Sequence, residues 1–208
     1  MQKLTVHDFI SMWKCALAQV SLRADEFSRL DAVTGDGDHG TAIVQALTSA
    51  VETAETGTEF KTMLNGMGFN VMLQTSGSTS TLFGGFLLGM SDNAEGNELE
   101  IRQLKQMFQG GLEGVQKQTK AAKGDKTMMD ALIPAVDAMH TSGSDDLCEL
   151  FAVAADAALQ GAMKTVDMKA NFGSARNYGD RSIGSADAGA LSWACMFSAF
   201  HKSICGLV

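Results

Sequence analysis

Residues 34–56 read TGDGDHGTAIVQALTSAVETAET, an acidic, glycine-rich loop followed by an amphipathic segment. Ile43, Leu47 and Val51 recur at helical spacing, so one face of this segment is apolar and must be buried. Similar periodicity extends over most of the chain, and no stretch shows the sustained alternation of β-branched residues that predicts strands. The sequence therefore predicts an all-α bundle without a sheet.

About eight helices are predicted, and glycine rather than proline separates them. The 208 residues include 22 Gly and one Pro, Pro134, and glycine is the residue that ends helices and allows close backbone approach. Because the sequence contains no recognisable linker, one domain over residues 1–208 is expected. The predicted helices include segments 4–22, 98–119 and 126–140, and polar loops are predicted at 76–81 and 171–187.

The composition is that of a folded, acidic protein. Apolar residues make up 45% of the chain and charged residues 19%, with a formal net charge of −8. Lys and Arg form no cluster, which argues against a nucleic-acid partner and against a basic helix on a membrane surface. No run of about 18 apolar residues predicts a membrane span.

The cysteine pattern bears on the cellular compartment. The four cysteines lie far apart and form no Cys-x-x-Cys pair; they are Cys15, Cys148, Cys195 and Cys205. This spacing favours buried free thiols in a reducing compartment. The first twenty residues have apolar positions interrupted by polar ones in helical rhythm, which is not the pattern of a signal peptide. A cytoplasmic protein is therefore expected.

Asp31, Asp36 and Asp38 are the strongest chemical feature of the sequence. Three carboxylates within eight residues repel one another unless a cation or a proton intervenes, and such oxygen ligands favour Mg²⁺ or Ca²⁺. A calcium-binding EF-hand loop starting at Asp36 is excluded, because its twelfth position would be Leu47 rather than a bidentate Glu. The alternative is a solvated turn in which Asp36 or Asp38 caps the following helix.

Other segments offer groups that could meet a phosphate. The helix after the acidic loop points the positive end of its dipole at that loop, which suits a phosphorylated ligand. The segment SGSTST at 76–81 offers N–H groups and hydroxyls, among them Ser78 and Thr79, although an ordinary helix start explains it equally well. Lys126 and Arg181 could bind phosphate, and the alternatives are a solvated lysine and a structural arginine.

Four motifs occur in a distinctive order and spacing. They are LDAVTGDGDHG (30–40), LFGGF (82–86), GDKTMMDALIPA (124–135) and GDRSIGSADAG (179–189). Together they resemble the nucleotide-binding L subunit of dihydroxyacetone kinase, a domain that also forms the C-terminal half of single-chain dihydroxyacetone kinases. The resemblance covers essentially the whole chain. It implies a barrel-like bundle of eight antiparallel helices with the nucleotide at one end.

The resemblance also implies a role for each matching residue. Asp31, Asp36 and Asp38 would hold two Mg²⁺ ions against the phosphates of ADP or ATP. Thr119 and Met128 would lie beside the adenine. The other residues expected to line the nucleotide are His39, Gly40, Thr41, Ala42, Ser78, Thr79, Asp187, Ala188 and Gly189.

Three positions depart from the family pattern. The family's glycine-rich GGASGP is SGSTST here, and Thr119 stands where the family usually has glycine. The stretch that usually reads GRASY is GSARN, so the nucleotide-contacting arginine falls on Ser174. Arg176, two residues further on, is the candidate to replace it. The acidic loop is intact, and it still implies phosphoryl transfer.

The implied activity is transfer of a phosphoryl group to dihydroxyacetone or a related short ketose held by a separate ketose-binding subunit. The chemistry would be metal-assisted, and Arg181 is the one candidate for a catalytic side chain. ATP could be consumed, or tightly bound ADP could be re-phosphorylated by a phosphocarrier of the phosphotransferase system. A non-catalytic nucleotide-binding module and a phosphohydrolase are the alternatives. The sequence leaves open whether the chain forms a dimer or does not self-associate.

Overall fold

A computed structural model describes residues 2–74 and 77–207, and its helical content confirms the predicted all-α class. Within these residues the chain forms nine α-helices, α1 (Val6–Leu22), α2 (Ala24–Asp31), α3 (His39–Ala54), α4 (Phe60–Gln74), α5 (Gly77–Ser91), α6 (Ile101–Gln116), α7 (Met129–Thr141), α8 (Leu147–Lys164) and α9 (Ala188–Ile204). Also present are the strands β1 (Lys3–Thr5) and β2 (Glu98–Glu100) and the 3₁₀ helices Thr165–Asp167 and Ser174–Ser182. None of the helices described is long and apolar enough to cross a membrane.

Eight of these helices form a closed ring. Helix α1 packs on α3, α3 packs on α4, and each later helix packs on the next until α9 returns to α1. The short helix α2 lies against α3 and α9. The connections from α3 to α4 and from α7 to α8 are five residues each, so these successive neighbours run antiparallel. The arrangement agrees with the expected barrel-like bundle of about eight helices.

Aromatic side chains fill the interior of the ring. The Trp13 and Phe200 rings meet edge to face with centroids 4.9 Å apart, and Trp193 meets Phe86 in the same way at 4.9 Å. Edge-to-face contacts of this kind are favourable beyond the area that they bury. Trp193 also lines a pocket near the acidic loop, so the core extends without a break to the candidate site.

Helices α5 and α6 approach each other through glycine. A side chain on Gly89 would collide with the carbonyl oxygen of Gly110, and a side chain on Gly114 would collide with that of Gly85. On each helix the two glycines are four residues apart, so they lie on one face and bring the two backbones together. This packing fixes the position of α5, whose first turn faces the candidate site.

The prediction that the chain contains no sheet is wrong in one detail. Strands β1 and β2 pair antiparallel, with buried Leu4 opposite buried Leu99. The helices predicted to begin at residues 4 and 98 therefore begin at Val6 and Ile101. A three-residue strand has a single buried position, so it cannot show an alternating pattern.

The polar segment predicted as a loop at 76–81 is helical where it is described. Helix α5 begins at Gly77, and Ser76 lies outside the described residues. Ser80 and Thr81 donate their hydroxyl protons to the Gly77 carbonyl oxygen. Because small hydroxyl side chains can bond back to a carbonyl one turn earlier, a sequence typical of loops is compatible with a helix here.

Helix α7 begins at Met129 rather than at residue 126 as predicted, because the residues before Met129 are held in a turn. The Asp130 carboxylate accepts hydrogen bonds from the N–H groups of Gly124 and Thr127, over 2.6 Å and 2.9 Å.

The polar loop predicted before α9 also differs from expectation, since it contains the longer of the two 3₁₀ helices.

The prediction of four free thiols is wrong for one pair. Cys148, in the first turn of α8, and Cys205, at the end of α9, form a disulfide, whereas Cys15 and Cys195 are buried free thiols among the described residues. The bonded residues are 57 positions apart, and the packing of α8 on α9 brings them together. A disulfide depends on spatial separation, about which spacing along the chain says nothing.

Candidate functional site

The three acidic residues expected to bind metal converge on one point. Asp31 is the last residue of α2, and Asp36 and Asp38 lie in the connection to α3. One carboxylate oxygen of each lies within 4.8 Å of the others. The loop wraps around Asp31, whose Oδ2 accepts a hydrogen bond from the Gly37 N–H over 2.9 Å. Gly37 has a φ of +79°, a conformation that glycine adopts without strain.

The structure does not support the alternative that these carboxylates only cap α3. Asp38 occupies the N-cap position, yet its side chain makes no capping hydrogen bond to the described residues. The Gly40 N–H donates instead to Ser28 Oγ, 3.2 Å away. Partial burial, together with the carboxylates of Asp36 and Asp31, raises the pKa of Asp38. Clustered oxygen ligands that repel one another in this way fit a hard divalent cation such as Mg²⁺.

A pocket lies beside the acidic cluster, at the end of the ring where α3, α5, α7 and α9 begin. Ten of the residues predicted to hold nucleotide or metal line it: Asp31, His39, Ser78, Thr79, Thr119, Met128, Ser174, Asp187, Ala188 and Gly189. Sequence reasoning missed the apolar wall residues Phe172 and Trp193. The sequence offered no signal for Phe172. For Trp193 the signal was helical periodicity, which does not distinguish a core residue from a pocket residue.

His39 connects the N-terminal parts of three helices, α3, α5 and α9. Its Nε2 lies 2.9 Å from Ser192 Oγ, and its Nδ1 lies 3.5 Å from Thr79 Oγ1. The Ser192 hydroxyl donates to the Gly189 carbonyl, so it accepts from His39, and Nε2 carries the proton. Burial lowers the pKa of His39. The ring is therefore neutral near pH 7, and it positions α3, α5 and α9 rather than supplying positive charge.

The sequence allowed two interpretations of Lys126, a lysine that binds phosphate and a solvated lysine. The structure agrees with neither. The side chain is buried, and Nζ donates to the carbonyl oxygens of Thr165 and Ser185, each over 2.6 Å. Burial lowers the pKa of Lys126. Its φ of +58° is rare for a residue with a side chain. The two hydrogen bonds hold this turn and tie it to the segment that precedes Asp187.

Asp187 makes a helix-capping hydrogen bond in an environment that disfavours its ionised carboxylate. Its Oδ1 accepts the Ala190 N–H over 2.7 Å and so caps α9. Burial raises the pKa of Asp187 to about 7, against the effect of the Ala190 hydrogen bond, and the carboxylates of Asp130 and Asp31 act in the same direction as burial. A charge-sensitive carboxyl group thus lies in the wall of the pocket.

A second pocket adjoins the first through Thr34 and Ser174, which line both. It also contains Asp36 and Arg181, so the candidate catalytic arginine lies on the same side as the acidic loop. The Arg181 guanidinium carbon lies 5.5 Å from the centroid of the Tyr178 ring, and this cation–π contact orients the side chain.

Four of the predicted nucleotide-contacting residues lie outside the lining of both pockets in the described part of the chain. Arg176 is exposed on the 3₁₀ helix, and Thr41 is exposed in the first turn of α3, next to partly buried Ala42. Gly40 is buried, and a side chain there would collide with the Ala24 carbonyl oxygen. Glycine at this position is therefore required for the packing of α3 on α2.

The arrangement can hold a phosphorylated ligand only together with a cation. Three carboxylates beside a pocket repel phosphate, and a divalent cation reverses the sign of that interaction. The first turns of α3, α5 and α9 direct the positive ends of their dipoles to the same pocket. The apolar wall suits a ring system. The residues present therefore fit Mg²⁺ together with a nucleotide.

Fold and site define a helical domain in which an acidic cluster adjoins a pocket suited to a phosphorylated ligand. The chain belongs to the DAK2 domain family, whose match covers residues 33–202. It is 36% identical over 183 residues to the ADP-binding subunit DhaL of PEP-dependent dihydroxyacetone kinase 1 from Listeria innocua, covering 85% of each chain. It is 31% identical over 177 residues to the ADP-binding subunit DhaL of the Escherichia coli PEP-dependent kinase, covering 83% of this chain and 84% of that one.

A solved structure has the same fold. The dihydroxyacetone kinase from C. freundii, in complex with AMP-PNP and Mg²⁺, superposes with a TM-score of 0.71 at 22% sequence identity. The match covers 93% of this chain and 33% of that one, so the chain spans about a third of the length of that kinase. The likeness confirms the helical barrel.

Proposed function

We propose that this chain is the nucleotide-binding, phosphoryl-transferring subunit of a kinase that acts on dihydroxyacetone or a related short ketose. The convergence of Asp31, Asp36 and Asp38 beside a pocket at which four helices begin carries the proposal. The similarity of the chain to an ADP-binding kinase subunit, over 85% of its length, supports the proposal. The ketose would be held by a separate subunit, which presents its hydroxyl group to the nucleotide.

Asp31, Asp36 and Asp38 would hold two Mg²⁺ ions. Bound Mg²⁺ neutralises and orients the transferred phosphoryl group. The Gly37 N–H holds the Asp31 carboxylate in place, so this ligand is oriented in advance. Arg181, which shares a pocket with Asp36, would stabilise negative charge on the phosphates.

ADP or ATP would occupy the pocket that Trp193 and Phe172 line, with the adenine against Met128 and Thr119. The phosphates would meet Ser78 and Thr79 in the first turn of α5 and the N-terminal turn of α3, where dipole and N–H groups favour anions. The remaining residues assigned to the nucleotide are His39, Gly40, Thr41, Ala42, Ser174, Arg176, Asp187, Ala188 and Gly189. Of these, His39 acts through its hydrogen bonds to α5 and α9.

Bound ADP recharged by a phosphocarrier is the version of the reaction that we favour. The Listeria and Escherichia relatives are both described as ADP-binding subunits of PEP-dependent kinases, which implies that phosphate reaches the bound nucleotide from phosphoenolpyruvate. The partners would then be a ketose-binding subunit and a phosphotransferase-system phosphocarrier. A cytoplasmic location follows from this proposal, because nucleotides and phosphoenolpyruvate are cytoplasmic metabolites.

Replacing Asp36 with Asn tests the proposal. The change keeps the size of the side chain and removes one charged ligand, so formation of ketose phosphate with the ketose-binding subunit and phosphate donor present should fall about 100-fold or more. Asp25→Asn is the matched control, because Asp25 is exposed in the first turn of α2, and it should retain full activity.

The outcomes separate the proposed kinase from the other functions. Unchanged turnover in Asp36→Asn would refute the metal assignment. Nucleotide binding by the wild type without any ketose phosphate would indicate a regulatory module. Release of inorganic phosphate in the absence of the ketose-binding subunit would indicate a phosphohydrolase.

A further inference from the structure

A second cluster of metal-ligating side chains lies at the other end of the bundle. Cys148 is in the first turn of α8, and His201 and Cys205 lie at the end of α9. The 17 residues of α9 span about 25 Å and separate this cluster from Asp187. The two ligand groups therefore share no residue and no pocket.

The three side chains are close enough to chelate one ion once the two sulfur atoms, which are bonded to each other in the structure, have been reduced and have moved apart. His201 and Cys205 are four residues apart, so their side chains lie on one face of the helix end. One ligand atom of each of the three residues lies within 4.8 Å of the others, and His201 Nε2 is 3.9 Å from Cys148 Sγ. In a tetrahedral zinc site, Zn–S and Zn–N bonds of about 2.3 and 2.1 Å place the donor atoms about 3.6 Å apart. All three residues are half-buried, so they are partly shielded from solvent and still within reach of a metal ion or a small thiol.

We propose that Cys148, Cys205 and His201 bind a zinc ion when the two cysteines are reduced. The disulfide and the metal site are alternative states of the same pair. Two equivalents of a small thiol such as glutathione reduce the disulfide to two protein thiols and become one disulfide themselves. Zinc then binds two thiolates and a neutral imidazole, and two protons are released.

The surroundings favour the metal-bound state. Cys148 lies in the first turn of α8, where the positive end of the helix dipole stabilises a thiolate. A surface pocket lined by Gln2, Ser203 and Cys148 adjoins the cluster, so water can reach a fourth position on the metal, as in other sites with three protein ligands. The ion would link α8 to α9 as the disulfide does.

Metal titration of the full chain under a phosphine reductant tests this site. Co²⁺ should give the intense thiolate-to-metal charge-transfer absorption that carboxylate ligands do not give, so the acidic cluster does not contribute. Zn²⁺ should displace Co²⁺ with one equivalent per chain. Cys205→Ser and His201→Ala should each weaken binding roughly tenfold or more. Cys15→Ala, which removes a buried cysteine outside the cluster, should bind as the wild type does.

A second measurement applies if a variant does not fold. In the reduced wild type, Zn²⁺ should slow alkylation of Cys148 and Cys205 about tenfold or more, as read from peptide masses, and leave Cys15 unaffected. Absence of charge-transfer absorption, equal binding by Cys205→Ser, or alkylation unaffected by Zn²⁺ would each overturn the proposal. None of these readouts requires kinase activity, so they do not depend on the proposed function.

Discussion

Asp187 is a residue whose helix cap and charge have opposite effects on stability. Its carboxylate caps α9 through the Ala190 N–H, while burial raises its pKa to about 7. In the unfolded chain the carboxyl group ionises near its ordinary value of 3.8. The folded state therefore holds the proton more tightly, and its stability falls as the pH rises from about 4 through 7. Above that range the folded protein carries the full cost of an ionised carboxylate that is partly buried.

Asp187→Asn should therefore stabilise the protein in the absence of nucleotide and Mg²⁺. The amide oxygen can still accept the Ala190 N–H, and the unfavourable charge is gone. We expect the gain in the free energy of unfolding to be about 1–2 kcal/mol larger at pH 8 than at pH 5, measured by urea unfolding. Asp146→Asn, which alters the cap of α8 that accepts the Glu149 N–H, is the matched control for the same substitution at a helix N-cap. A pH-independent difference for Asp187→Asn would contradict the argument.

The contact between α5 and α6 sets the position of the site at the scale of whole elements. Gly89→Ala would drive a methyl group into the Gly110 carbonyl, and two helix backbones cannot yield as a flexible side chain can. We expect a loss of about 3 kcal/mol or more in the free energy of unfolding, measured by urea or thermal unfolding. Gly66→Ala is the control, because its methyl group would meet only Thr53 Cγ2 at 3.2 Å. Alanine there should be neutral or stabilising. Similar losses in both variants would contradict the proposed packing.

The helices were predictable from sequence because each repeats a long apolar pattern, whereas the features that the sequence missed are short or depend on tertiary contact. Leu4 and Leu99 belong to three-residue strands, and Cys148 finds Cys205 only because α8 packs on α9. The acidic loop was predictable because its three carboxylates are close in sequence. The Lys126 hydrogen bonds to Thr165 and Ser185 were not predictable. Their acceptors are backbone carbonyl oxygens, which every residue has, so no residue type in the sequence identifies them.

At the scale of the whole molecule, the proposed ligands act on the entire ring, because four helices begin at one pocket and the ring closes through α1 and α9. A ligand that binds only the folded state stabilises it by about 2.7 kcal/mol at 100 times its dissociation constant. The repulsion among Asp31, Asp36 and Asp38 makes this stabilisation depend on Mg²⁺. We expect ADP with Mg²⁺ to raise the melting temperature by several degrees, and ADP with a chelator, or Mg²⁺ alone, to have much less effect.

The same thermal experiment on Asp36→Asn separates coupling through the carboxylates from general stabilisation by the nucleotide. With one charged ligand removed, the variant should lose most of the additional shift that Mg²⁺ confers on ADP binding, while Asp25→Asn should keep it. An equal shift with ADP in the presence of Mg²⁺ or of a chelator would mean that the phosphates are held by the helix N-termini alone. The acidic cluster would then have no part in nucleotide binding, and the pocket and the carboxylates would have to be treated as separate sites.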